Sequence, residues 1–168
     1  MAFKEINSNK LDMNPFTKIG KEWLLITAGT ADKHNTMTAS WGGFGFLWQR
    51  NVATIYIRPQ RYTKNFVDAN DTFTLSFFGR GFRQELTYLG QTSGRDEAKI
   101  AKSGLTPISF EETVGFEEAE IVFVMKKLYQ APILPEYFLD KSVDDYYPEH
   151  DYHDMYIAEI VKTFVREK

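Results

Sequence analysis

The chain has 168 residues, a mass of 19.5 kDa and a formal charge of −3, enough for a single domain over residues 1–168 with its own core. Aromatic residues make up 15% of it and cysteine is absent, which excludes a disordered chain, a disulfide framework, a thiolate nucleophile and an iron–sulfur cluster. The acidic balance argues against nucleic-acid binding, no apolar run is long enough for a membrane helix, and the polar start Met1–Lys10 is unlike a signal peptide, so a cytoplasmic location is expected.

Six segments read as strands. Trp23–Thr30 is apolar and ends at a glycine, and Thr36–Trp41 follows a short polar break, so the two predict a hairpin. Val52–Arg58 is rich in β-branched residues and stops at Pro59. Thr72–Phe77 alternates, with Phe73, Leu75 and Phe77 on one face and Thr72, Thr74 and Ser76 on the other. Ala119–Tyr129 and Met155–Val165 are the last two. Three short helices are expected between them. Thr63–Ala69 has Thr63 as its cap. Phe82–Leu89 has apolar residues at helical spacing. Arg95–Lys102 follows the capping-box pattern Ser93-Gly94-Arg95-Asp96. Short strands with so little helix between them argue against a parallel doubly wound sheet and for a closed or nearly closed antiparallel barrel.

Several site chemistries are absent from the sequence. It has no phosphate-binding P-loop, no Gly-x-Gly-x-x-Gly turn and no Gly-x-Ser-x-Gly elbow. His34, His150 and His153 are its only histidines, and nothing points to a Ser–His–acid triad. His150-Asp151-Tyr152-His153-Asp154 looks like a metal cluster, but alternation along an extended segment would send His150 and His153 to opposite faces. A polar loop entering the last strand is the expected reading, and no metal site is assigned.

Three segments suit an anion. Asn35–Gly43 alternates small hydroxyl residues and ends in two glycines, which lets a ligand approach the backbone. Taken alone it also reads as an ordinary Thr-rich strand with a bend. Arg58–Lys64 sets two arginines and a lysine around a helix start. Thr92–Lys99 repeats that theme with Ser93, Gly94, Arg95 and Lys99. A solvated capped turn is the plain alternative for each of these two.

In this order, NTMTASWGG (Asn35–Gly43), RPQRYTKNF (Arg58–Phe66), FTLSFF (Phe73–Phe78), SGRDEAK (Ser93–Lys99) and YHDMYIAEIV (Tyr152–Val161) resemble the flavin reductase-like family of FMN-binding split barrels. The resemblance runs from about Trp23 to the end of the chain. It implies a mainly β, Greek-key split barrel that forms a homodimer and binds FMN near the interface. Thr36, Thr38, Ala39, Ser40 and Trp41 would then lie along the flavin. Arg58, Tyr62, Thr63 and Lys64 would face its ribityl phosphate, and Ser93, Gly94, Arg95 and Lys99 would complete the phosphate or pyridine-nucleotide side. Phe77 would wall the cleft, and His153 would be the catalytic residue.

The family often carries Asp-His before its last strand. Here Tyr152 precedes His153, so Asp151 or Asp154 replaces that carboxylate or the role is lost. Trp48-Gln49-Arg50 stands where reductases often have a proline pair. The implied activity is reduction of FMN by NADH or NADPH. The first alternative is a non-enzymatic, flavoredoxin-like electron carrier reduced by a partner protein. A barrel that has lost its flavin and a small-amine oxidase are the remaining readings.

Overall fold

The computed structural model describes residues 2–167. Its strands are β1 (Phe3–Ile6), β2 (Leu24–Gly29), β3 (His34–Ala39), β4 (Gly42–Leu47), β5 (Arg50–Ile57), β6 (Thr72–Phe77), β7 (Pro107–Phe110), β8 (Thr113–Phe116), β9 (Ile121–Pro132) and β10 (Asp154–Arg166). The helices are a single turn, α1 (Pro15–Thr17), then α2 (Tyr62–Ala69), α3 (Arg83–Gln91) and α4 (Lys99–Ser103).

The main sheet runs β3-β2-β6-β9-β10-β5-β4, all antiparallel, with β1 beside the far half of β10. β10 is long enough to serve two partners on one edge: Asp154–Glu159 pair with β5, and Thr163–Arg166 pair with β1. Its ladder with β9 shifts register between Ile157 and Ala158 and again between Ile160 and Lys162. Such irregularities bend a strand and help a sheet curl. The two edge strands, β3 and β4, are consecutive in the chain and separated only by Ser40 and Trp41. The sheet therefore curls until its edges nearly meet, and a seam remains between them.

Gly42 makes that passage possible. Its φ is +155°, and a Cβ there would stand 2.9 Å from the Thr54 carbonyl oxygen. Only glycine takes both constraints without strain.

The core is double-sided. Leu24, Ile26, Phe73, Leu75, Phe77, Phe123, Met125 and Tyr156 fill the inside of the curl. Their neighbours of opposite parity, Leu25, Val122 and Val124, pack outward against Leu86, Leu89, Phe110 and Phe116 of α3 and the β7–β8 hairpin. Each large side chain buried this way contributes roughly 1.5–3 kcal/mol. Burial on both faces explains the continuous apolar runs of β2 and β9.

The expected β2–β3 hairpin is present. The polar face expected on β6 is not solvent-facing: Thr74 is fully buried and donates to the Val114 carbonyl at 2.6 Å. The third expected helix begins later, at Lys99. Ser93 accepts from the Arg95 N–H at 3.2 Å, so its cap closes a turn rather than opening a helix. Thr63 is not a cap either. Arg61 occupies the N-cap of α2, and Thr63 is the buried second residue of the helix, accepting from Asn35 Nδ2 at 2.9 Å.

Candidate functional site

The seam is a groove. On one side, β3 presents its outer edge, which no strand covers among the described residues. Across from it stand Tyr56 and Arg58 at the end of β5, with Arg61 and His153. Together with Met37–Trp41 these line a cavity of about 210 Å³. Met37 and Arg61 also line a second cavity of about 200 Å³, bounded by Asn35, Tyr62, Thr63, Thr92–Gly94 and Lys99. At the other end, Ser40, Trp41 and Tyr56 open onto a larger, mainly aromatic and aliphatic cavity of about 740 Å³. The groove thus runs from a polar end to an apolar mouth.

The polar end is positive, and among the described residues no carboxylate lines the second cavity. Lys99 is 3% exposed, and its ammonium donates to the Leu89 and Thr92 carbonyls, both at 2.8 Å. Burial, aided by the nearby Arg61 charge, lowers its pKa to about 8. Arg61 is half-buried and donates to the Gly90 carbonyl at 2.8 Å. Burial is also the main cause of its lowered pKa, with the Arg58 charge second. Neither cation has a carboxylate partner among the described residues. A buried and a half-buried cation held by carbonyl dipoles are costly unless an anion joins them. Gly94 lets the turn pack closely here, because a Cβ there would run into the Asn35 amide oxygen and stand 3.1 Å from the Tyr62 ring. Arg95 lies at the rim, 4.7 Å above the Tyr62 ring and bonded to the Gln60 carbonyl at 2.9 Å.

The aromatic end is built by the segment between β9 and β10. Tyr147 is bonded to His153 Nδ1 at 2.8 Å. Trp41 packs on His153 at 5.3 Å and edge-on to Tyr146 at 5.7 Å. Arg58 ties the segment down, with 2.7 Å to Asp151, 3.0 Å to the Tyr146 carbonyl, and its guanidinium 4.9 Å from the Tyr147 ring. The amide of Gln60 and the Arg58 guanidinium hold Asp151 below the usual carboxylate range.

The expected site residues divide by position. Thr38, Ala39, Ser40, Trp41, Arg58 and His153 line the first cavity, and Tyr62, Thr63, Ser93, Gly94 and Lys99 line the second. Thr38 turns its hydroxyl away, donating to the Leu86 carbonyl of α3 at 2.5 Å, so what it offers the groove is backbone.

Three residues lie elsewhere. Thr36 is fully buried and bonded to Thr27 and the Ile26 carbonyl, on the outward face of the sheet that it shares with Leu25 and Thr38. Phe77 is fully buried between the rings of Phe44 and Phe123. Lys64 is committed to Asp68 at 2.7 Å and Asp154 at 2.9 Å, which more than offset its burial and raise its pKa. His150 and His153 also part company: His150 meets Tyr152 at 3.1 Å while His153 meets Tyr147.

Sequence reasoning missed Arg61, Asn35, Tyr56 and Tyr147. Arg61 sat within a recognised basic segment, but which of its cations are neutralised depends on Asp151 and Asp154, about ninety residues away.

No family model matches the chain, and no curated protein matches it in sequence. Solved structures match it closely in fold. The FMN-binding domain of a flavin reductase-like enzyme from Shewanella baltica superposes with a TM-score of 0.71 at 14% identity, covering 98% of this chain and 77% of that one. Flavoredoxin of Desulfovibrio vulgaris gives 0.68 at 24% identity over 86% and 69%. Component B of the nitrilotriacetate monooxygenase from Bacillus cereus gives 0.68 at 17% identity over 99% and 83%. The protein has the split-barrel fold of these flavin reductase-like proteins and flavoredoxins.

Proposed function

We propose that the protein binds FMN in the seam and passes electrons through it as an NAD(P)H-dependent flavin reductase. The observation that carries the FMN reading is the pair of cations, half-buried Arg61 and buried Lys99, without a carboxylate partner among the described residues at the polar end of the groove. A phosphate dianion would satisfy both, in the cavity that Ser93 and Gly94 also line. The free edge of β3 supplies amides and carbonyls for the polar rim of a flat ring, and Trp41 and Tyr56 supply apolar area beside it. When bound, FMN supplies the hydride and electron chemistry. The chain's tasks are to hold the phosphate, orient the ring along β3 and limit water through the segment pinned by Arg58. NADH or NADPH would enter by the apolar mouth.

One observation favours a second reading, a flavoredoxin-like carrier reduced by a partner protein. His153 is buried against Tyr147, with no carboxylate on its ring nitrogens among the described residues. Anaerobic addition of NADH or NADPH to the FMN-loaded protein separates the two: bleaching of the flavin bands supports the reductase, and persistence supports the carrier.

The homodimer reading is supported by an exposed apolar tip on the β4–β5 hairpin, where Phe46 is 65% and Trp48 54% exposed. No helix among the described residues is long and apolar enough to cross a membrane. We assign the protein to the cytoplasm on the flavin reading.

A further inference from the structure

Tyr147 follows the short helical turn Lys141–Tyr146, and His153 sits immediately before β10. Their side chains meet at 2.8 Å between the phenol oxygen and Nδ1, and both are buried, at 5% and 7% exposure. A phenol is the stronger donor and an imidazole nitrogen the stronger acceptor, so the proton stays on Tyr147 and Nδ1 accepts. A neutral imidazole has one N–H, which must then be on Nε2.

The surroundings keep the ring neutral. Burial is the largest cause of its pKa falling to about 4, the Arg58 and Arg61 charges push the same way, and Asp151 opposes them. Uncharged rings pack on the rest of it: Trp41 at 5.3 Å, Tyr56 at 6.4 Å and Tyr147 at 5.4 Å. His153 nonetheless lines the groove.

We propose that Tyr147 is a positioning residue that fixes His153 as the Nε2–H tautomer, so that the groove meets a permanent neutral hydrogen-bond donor instead of an acid–base group. The matching ligand atom is a carbonyl oxygen of the ring system lying against Trp41. That ligand assignment rests on the flavin reading above, where the carbonyl belongs either to the flavin or to a nicotinamide carboxamide. The tautomer itself does not depend on that reading.

Long-range proton–nitrogen NMR of the full chain tests this, recorded without ligand, then with FMN, then with FMN and NAD⁺. Wild type is expected to show one His153 tautomer, with Nε2 protonated and Nδ1 bare, unchanged from about pH 5.5 to 8.5. In Tyr147→Phe, Nδ1 loses its donor, both tautomers populate, and the protonation midpoint rises. A shift of the Nε2–H signal on adding FMN supports the flavin carbonyl, and a shift only after NAD⁺ supports the carboxamide. Protonated Nδ1 in wild type overturns the proposal, even if Tyr147→Phe fails to fold. A Tyr147→Phe spectrum with the wild-type tautomer and midpoint also overturns it. If FMN does not bind but the tautomer depends on Tyr147, the flavin reading fails and the positioning role stands.

Discussion

Arg61 stands close enough to Lys99 to lower its proton affinity, and the two cations share one small cavity without an acidic partner among the described residues. Three neighbouring cations are neutralised: Arg58 by Asp151, Lys64 by Asp68 and Asp154, Lys102 by Glu97. This contrast locates the anion end of the groove.

Lys99 makes FMN affinity depend on pH. Its pKa is about 8 without ligand, and a bound dianion raises it. Binding is therefore strongest while Lys99 is already protonated and weakens as pH climbs past 8. The phosphate is doubly ionised from neutral pH upward and adds no slope there. The FMN dissociation constant should rise about tenfold between pH 7 and pH 9, a range over which riboflavin affinity stays flat. Fluorescence titrations at the two pH values read this directly.

Arg61→Ala should weaken FMN by about 10- to 100-fold, the worth of charge-assisted hydrogen bonds to phosphate. Riboflavin, which lacks the phosphate, should lose much less. Arg58→Ala should behave differently, because Arg58 spends its charge on Asp151 and the Tyr146 carbonyl. It should cost about 1–2 kcal/mol of stability and leave the FMN-to-riboflavin affinity ratio unchanged. Binding and denaturation curves on both variants separate the two roles.

His153 makes the fold acid-sensitive. Its folded pKa of about 4 lies below the ordinary value of 6.5. Between those values the unfolded chain binds the extra proton, so stability is complete above about pH 6.5 and is lost as pH falls toward 4. The loss attributable to this residue reaches up to about 3 kcal/mol. His153→Gln should remove that part of the slope in urea denaturation measured across the range.

The β4–β5 hairpin carries a correctable strain. Trp48 and Gln49 form its two-residue turn with φ of +53° and +59°. Such a turn favours Asn-Gly, and a large side chain in the left-handed region costs about 1–2 kcal/mol. Trp48→Asn with Gln49→Gly should raise monomer stability by about 1 kcal/mol or more. If Trp48 sits in a homodimer interface, the same change should shift the sedimentation equilibrium toward monomer.

Much of the barrel was legible because its strands carry local signals. The alternation of Thr72–Phe77, the apolar runs at β2 and β9 and the turn before His34 all act within a few residues. β4 was missed because GGFGFL has three glycines in six residues and takes its strand form from pairing with β5. β7 and β8 were missed because they are four residues each and pair only with one another. At the site, the alternation of Thr72–Phe77 was readable and sends Phe77 to the interior, whereas Thr36 shares the face of Thr38 and parity does not separate the two. Charge pairing was readable only for Lys64 and Asp68, an i,i+4 pair, since Asp151 for Arg58 and Asp154 for Lys64 lie about ninety residues away.

The most direct test of the account is a titration of the purified protein with FMN and with riboflavin at pH 7, followed by absorbance and calorimetry. The account predicts saturable binding of one FMN per chain, with riboflavin at least tenfold weaker and the difference reduced in Arg61→Ala. Equal affinity for the two ligands in wild type, or no binding of FMN at all, would contradict it.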